Sequence, residues 1–318
     1  MRRAIVDQDI TPTDQLLAGL PDDWEVTVGI ENSRDAVIEA LQGTNVAFVT
    51  SRVPMSRDVI ENAPKLEMIA KLGTGIDNID CKAAAEHSIP VTHTPGYNAL
   101  SVAEHTLCLT LATARRLTAA RNLIENSEWR DSYDLGMRVS GTSVGVVGFG
   151  DIGKRFARLL SGFDVEILAH DPFVPEIDTE LVGATMTDLD SLLRQSDIIV
   201  LTTEFTEETR GLIGDSELSK MNSSAILINT ARGPVVEEAA LIDALRKDSI
   251  GGAGLDVFTT EPLDSNSELL EFDHVVVTPH IAAMTTPSRI KSINRLTTNV
   301  KKLFDGAEVP ERYMATPF

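Results

Sequence analysis

Ser143-Val-Gly-Val-Val-Gly-Phe-Gly-Asp-Ile-Gly153 decides the fold. Val144, Val146 and Val147 read as a buried strand, Gly148, Gly150 and Gly153 set a G-x-G-x-x-G spacing, and residues 154–160 continue with helical periodicity. The three glycines act separately. Gly148 permits a tight turn, Gly150 lets backbone approach a pyrophosphate, and Gly153 lets the helix pack closely on the strand. The unpaired N–H groups and positive dipole end of that helix then face the phosphates, with Asp151 and Ile152 in its first turn.

Such a spacing alone is weak, because glycine-rich turns are common, but here its context is complete. A second apolar run, 165–169, is followed by Asp171, eighteen residues beyond Gly153, where a carboxylate can accept from both ribose hydroxyls. Pro172 and Phe173 come next, with no arginine nearby to meet a 2′-phosphate. The expected cofactor is therefore NAD rather than NADP.

Outward from this turn, the rest of the chain bounds the answer. Its 318 residues suffice for two cores, and 42% hydrophobic with 24% charged residues is a globular rather than a disordered composition. No stretch reaches the roughly 18 consecutive apolar residues of a membrane span. The opening Met1-Arg-Arg-Ala-Ile-Val-Asp7 reads as the first strand of a cytoplasmic protein. Cys81 and Cys108 show no CxxC pattern and are expected as buried free thiols; no metal-ligand spacing is present, so no metal is expected. Twenty-eight Lys and Arg stand against 48 Asp and Glu, a net −20, and only nine of the cations are lysine. A surface this acidic repels phosphate backbones, which argues against a nucleic-acid partner. Carboxylates scattered among few lysines also predict halophilic behaviour, with self-repulsion screened at high salt.

Apolar runs at 4–6, 26–30, 46–49, 68–70 and 89–92 alternate with helical stretches, the rhythm of a parallel sheet covered on both faces. One long helix is expected over 98–124. The rhythm restarts at 144 and runs through 165–169, 198–201, 225–228, 252–255 and 275–277, and a last helix over 285–304 is expected to return to the first domain. The architecture is α/β: two doubly wound parallel-sheet domains, 1–97 with 284–318 and 98–283, with a cleft between them.

Three strands of the second run end in chemistry. Arg232 follows 225–231, Asp256 follows 252–255 with Glu261 in the loop beyond, and His280 follows 275–279. In an open parallel sheet the carboxyl ends of strands line one edge, the edge that also holds the glycine turn. A guanidinium can fork onto a carboxylate, and an imidazole paired with a carboxylate is a general acid/base working near neutral pH.

Gly148-Phe-Gly-Asp-Ile-Gly153, Asn229-Thr-Ala-Arg-Gly233, Gly254-Leu-Asp-Val-Phe-Thr-Thr-Glu-Pro262 and Thr278-Pro-His-Ile-Ala282 resemble the D-isomer-specific 2-hydroxyacid dehydrogenase family over nearly the whole chain. Leu72-Gly-Thr-Gly-Ile-Asp-Asn-Ile-Asp80 and Ser101-Val-Ala-Glu104 are similar to its phosphoglycerate dehydrogenase branch, with the C-terminal regulatory extension of many such enzymes not expected here. The resemblance implies a Rossmann NAD-binding domain inserted into a flavodoxin-like substrate domain. It also implies hydride transfer between NAD(H) and a D-2-hydroxyacid/2-keto acid pair. His280 would exchange the proton, Glu261 would orient it, and Arg232 would hold the substrate carboxylate. Asp256 would lie at the nicotinamide carboxamide, with Thr203, Thr230, Ala231, Arg232 and His280 along the cofactor. Backbone N–H groups of Gly73, Thr74 and Gly75 would receive the substrate carboxylate, with Ser51 and Lys71 nearby. The other five histidines read as satisfied buried or surface residues.

Departures from the family pattern fall mainly at the substrate end. Thr50 stands where phosphoglycerate-specific relatives often have arginine, Arg52 lies two residues later, and Lys71 can meet a distal phosphate or be an ordinary solvated lysine. On the cofactor side, Glu204 replaces a frequent proline, and with Glu207 and Glu208 disfavours a 2′-phosphate. A 3-phosphoglycerate/3-phosphohydroxypyruvate substrate pair, hydroxypyruvate or glyoxylate, and D-lactate all stay open. Glu261 argues against the formate dehydrogenase branch, and an NAD-sensing corepressor-like binding protein is the competing class. The apolar helix after 98 implies a homodimer through the cofactor domains, with Trp129 either an anchor of that contact or a local core aromatic.

Overall fold

The computed structural model describes residues 2–315. The chain forms two compact units, one comprising the sequence up to Asn98 together with that from Met284 onward, the other Ala99–Ala283. In the first, strands β1 (Arg3–Val6), β2 (Glu25–Val28), β3 (Val46–Val49), β4 (Met68–Lys71) and β5 (Val91–Thr92) make an all-parallel sheet in the order β2-β1-β3-β4-β5. This is the flavodoxin-like order. Successive side chains leave opposite faces of a strand, and the two faces bury different cores. Ile5, Ala47, Val49 and Ile69 join Val37 and Leu41 of the helix Arg34–Leu41. Ala4, Val46, Phe48 and Met68 join Leu16 and the Ile293, Leu296 and Val300 stripe of the helix Thr286–Phe304.

The second unit has seven parallel strands: β6 (Ser143–Val147), β7 (Glu166–His170), β8 (Ala184–Met186), β9 (Ile198–Leu201), β10 (Ile226–Asn229), β11 (Gly252–Leu255) and β12 (Val275–Val277). Their order, β12-β11-β10-β9-β6-β7-β8, reverses direction between β6 and β9. Counted from β6, it is the Rossmann order extended by one strand. Phe149 and Phe156 are fully buried under the face that also carries Val144, Val146 and Val200. Burying each such ring stabilises the unit by about 2–3 kcal/mol.

Three expectations need correction. The single helix over 98–124 is two helices, Ala99–Ala114 and Leu117–Glu125, broken where Arg116 adopts φ +47°. The Ala114 and Arg115 carbonyls accept instead from the Met137 N–H (2.7 Å) and the Tyr133 hydroxyl (2.6 Å), and the Ala119 N–H donates to Asp273 (3.1 Å). Tertiary bonds thus replace those a continuous helix would use at this point. Cys108 is exposed rather than buried, because it shares the outward face of its helix with Glu104, and Cys81 is only half-buried; both are free thiols. Trp129 is 66% exposed, so it is no core aromatic.

Candidate active site

Register places the site. Val147 pairs with His170 on one side and Leu201 on the other, so Gly148, Asp171 and Thr202 follow at neighbouring strand ends. Gly148 has φ +89°, and a Cβ there would strike the Thr203 backbone. The Thr202 hydroxyl donates to the Gly148 carbonyl at 2.7 Å, which closes the turn from the far side. A Cβ on Gly153 would collide with the Gly148 carbonyl oxygen, so only glycine lets helix and strand approach this closely. Around Gly150 the space is open. Gly150 caps the helix Asp151–Leu159, and the Asp151, Ile152 and Gly153 N–H groups have no partner among the described residues. Asp171 accepts from the Phe149 N–H (2.7 Å) and the Phe173 N–H (2.9 Å), so the carboxylate is fixed against the turn. An open cradle of donors with a fixed acceptor beside it fits a dinucleotide pyrophosphate and ribose.

On the other half of the sheet, Asn229, Leu255 and Val277 lie in one register, so Thr230, Asp256 and Thr278 follow side by side. A Cβ on Gly233 would run into the Phe258 backbone, which shows how tightly the turn after Arg232 lies on the loop of Glu261. In that loop the Phe258 N–H donates to Glu261 Oε1 at 3.1 Å. Glu261 Oε2 is 2.7 Å from His280 Nδ1, with the two side chains 36% and 31% exposed. The structure thus joins Glu261 directly to His280 and brings the Arg232 turn against their loop. Arg232 is half-buried, and its guanidinium donates to the Ala231 carbonyl at 2.8 Å.

Asp256, only 1% exposed, organises the His280 turn. It accepts from the Thr278 hydroxyl (2.6 Å), the Ile281 N–H (2.9 Å) and the Ala282 N–H (2.9 Å), while its own carbonyl accepts from the His280 N–H (2.8 Å). Burial would raise this carboxyl, but donors from His105, Thr278, Ala282 and Ile281 outweigh it and hold the group below the usual carboxylate range. Thr230 is 6% exposed and bonded to Thr106 at 2.8 Å. Since Thr106 donates to the Val102 carbonyl, the Thr230 hydroxyl is the donor between them. Thr203 lies at the glycine turn, and Glu204, Glu207 and Glu208 are all exposed.

In the first unit, Gly73 has φ +113° and gives its N–H to Thr94 Oγ1 at 2.9 Å, so its part is to make the turn. The Thr74 and Gly75 N–H groups have no partner among the described residues. Lys71 is 3% exposed and donates to the Leu72 carbonyl at 3.0 Å, which rules out a solvated lysine. Ser51 is exposed. Arg52 is committed: it donates to Asp7 through Nε (2.7 Å), reaches Asp9 at 3.3 Å and also bonds the Ile30 carbonyl. Among the described residues no three His, Cys, Asp or Glu could hold a metal, and no helix is long and apolar enough to cross a membrane.

Sequence reasoning missed Thr202, Thr106, Thr278 and His105, whose Nε2 lies 2.9 Å from Thr278 Oγ1. Each acts through a contact far away in the chain. His105 alone left a signal: it sits three residues after buried Val102 and four before buried Leu109, the spacing of an inward-facing helix position.

Residues 107–282 match the family model described as D-isomer specific 2-hydroxyacid dehydrogenase, NAD binding domain. The chain is 37% identical to a D-3-phosphoglycerate dehydrogenase of Archaeoglobus fulgidus over 84% of its own length and 50% of that protein's. It is 38% identical to a glyoxylate reductase of Thermofilum pendens, covering 87% of this chain and 84% of that one. It spans about half the length of the D-3-phosphoglycerate dehydrogenases it matches. Among solved structures, a D-lactate dehydrogenase from Aquifex aeolicus, complexed with NAD and lactic acid, superposes with a TM-score of 0.87 at 28% identity, covering 99% of both chains.

Proposed function

Because the chain belongs to the D-isomer-specific 2-hydroxyacid dehydrogenase family, we propose that it moves a hydride between NAD(H) and a D-2-hydroxyacid/2-keto acid pair. The observation that carries this reading is the 2.7 Å contact of Glu261 Oε2 with His280 Nδ1. A carboxylate only accepts, so Nδ1 bears a proton and Nε2 is the nitrogen that exchanges one with substrate. NADH, held by the Gly148–Gly153 turn and Asp171, would supply the hydride for the carbonyl carbon. As charge develops on the carbonyl oxygen, His280 Nε2 delivers its proton there, and Glu261 stabilises the imidazolium from which that proton comes. Arg232 presents a planar fork that grips the substrate carboxylate and polarises the carbonyl. Asp256 takes the cofactor carboxamide: its Oδ2 accepts from the Ala282 N–H alone among the described residues, which leaves acceptor capacity.

In the first unit we assign the Thr74 and Gly75 N–H groups to the substrate carboxylate, with Gly73 forming the turn and Ser51 and Lys71 at the adjacent strand ends. The 3-phosphoglycerate/3-phosphohydroxypyruvate pair is the first substrate to test, given the names of the relatives and the buried Lys71 cation. A second reading, an unphosphorylated acid such as hydroxypyruvate or glyoxylate, draws on Arg52, which Asp7 and Asp9 already occupy. Steady-state kinetics with 3-phosphohydroxypyruvate, hydroxypyruvate, pyruvate and glyoxylate, each with NADH and NADPH, separates them. At least one should turn over, and faster with NADH. No turnover with any would leave an NAD-sensing binding protein. We further propose a homodimer through the Ala99–Ala283 units in the cytoplasm. The helix Leu117–Glu125 buries none of its residues, while Leu117, Ile124 and Trp129 are exposed, and two free thiols suit a reducing compartment. A monomer in gel filtration at micromolar concentration would refute the dimer.

A further inference from the structure

His105 takes no part in the proton and hydride transfers, yet its hydrogen bonds leave it a single role. The Thr278 hydroxyl has one proton and directs it at Asp256 Oδ1, 2.6 Å away. The carboxylate has none to give. His105 Nε2 lies 2.9 Å from Thr278 Oγ1 and 3.4 Å from Asp256 Oδ1, facing two acceptors, so Nε2 carries a proton and donates. Asp256 in turn holds the Ile281 and Ala282 N–H groups. These follow His280, a non-glycine residue at φ +54°, a left-handed conformation that persists only where surrounding bonds over-determine it.

We propose that His105 is a positioning residue: through Thr278 it fixes the rotamer of Asp256, and through Asp256 it fixes both the cofactor-side acceptor and the turn that aims His280. The inference rests on the reading of Asp256 as a cofactor contact. It also gives the helix Ala99–Ala114 a function beyond packing, since His105 braces the ends of β11 and β12 while neighbouring Thr106 braces Thr230 at the end of β10. The depressed Asp256 carboxyl agrees with a donor at this position.

The test compares His105→Gln, whose amide nitrogen reaches the place of Nε2, with His105→Asn, whose shorter amide does not. NADH affinity is read by fluorescence titration, kcat and KM by turnover, and folding by thermal unfolding. His105→Asn should weaken NADH binding about tenfold and lower kcat with little change in KM for the keto acid, while His105→Gln recovers most of both. In a Thr278→Val background the Asn–Gln difference should largely vanish, because the relay hydroxyl is gone. Equal NADH affinity in the two variants would overturn the proposal, whatever their melting temperatures, since a merely structural histidine predicts that equality. A Gln–Asn difference in NADH binding without turnover of any keto acid would refute the proposed reaction and leave this inference standing.

Discussion

The two units are built alike and charged differently. Each carries 14 Lys and Arg, but the Ala99–Ala283 unit sets 30 Asp and Glu against them, a formal −16, and the other unit 18, a formal −4. The unit that binds a dinucleotide is therefore the more acidic one. Its capture of phosphates must come from short-range donors, the bare N–H groups after Gly150, rather than from a long-range field. Their strand-end edges differ as well. In the second unit the ionic groups after β11 and β12 combine into the Glu261–His280 pair and its supports. In the first, the charges after β1 and β3 neutralise one another, as Asp7, fully buried, locks Arg52.

The sharpest division of labour concerns His280. Replacing it with Ala should lower kcat about 1000-fold, the middle of the range for a lost general acid, and leave NADH binding within about twofold. Stopped-flow reduction with fluorescence titration reads both, and a comparable loss of NADH affinity would show that the imidazole also holds the cofactor. Arg52→Ala makes the opposite claim about the first unit. It strands a buried Asp7 and should destabilise the protein by about 3 kcal/mol in denaturant unfolding, with kcat little changed. Unchanged stability with selective loss of 3-phosphohydroxypyruvate turnover would turn Arg52 into a substrate residue and erase the contrast.

What could be read in advance follows the same line. The glycine turn and the Arg232, Glu261 and His280 segments were legible because each is contiguous and each residue type has one physical use at a strand end. The helix break at Arg116 was not, since Ala114-Arg-Arg-Leu117 contains no Gly or Pro, and bonds from Tyr133 and Met137 impose it. Strand β8 escaped because three residues at a sheet edge carry no measurable alternation. His105 escaped for another reason. Its inward spacing was visible, but its partners lie 151 and 173 residues on, and no local pattern encodes them.

Glu261→Gln tests whether the carboxylate supplies charge or only geometry. The amide oxygen keeps an acceptor for Nδ1–H but removes the anion that favours imidazolium. Keto-acid reduction draws its proton from the imidazolium, so without the anion that stabilises it kcat should fall about tenfold, with KM for the keto acid little changed. An unchanged kcat would make Glu261 a purely steric support.

The smallest effect bears most directly on the charge asymmetry. NADH brings roughly two negative charges at its pyrophosphate toward a unit of net −16, so that net charge, exposed Glu204, Glu207 and Glu208 included, opposes binding while the helix N–H groups favour it. These two contributions act over different ranges. Screening length falls from about 10 Å at 0.1 M to about 3 Å at 1 M salt, which removes the repulsion and spares donors in direct contact. Raising KCl from 0.1 to 2 M should therefore tighten NADH binding about threefold and raise the melting temperature, because self-repulsion among the carboxylates is screened as well. If affinity weakened with KCl instead, capture would depend on a positive local field stronger than the unit's net charge. The acidic surface would then be irrelevant to cofactor binding, and the contrast between the two units would be one of composition only.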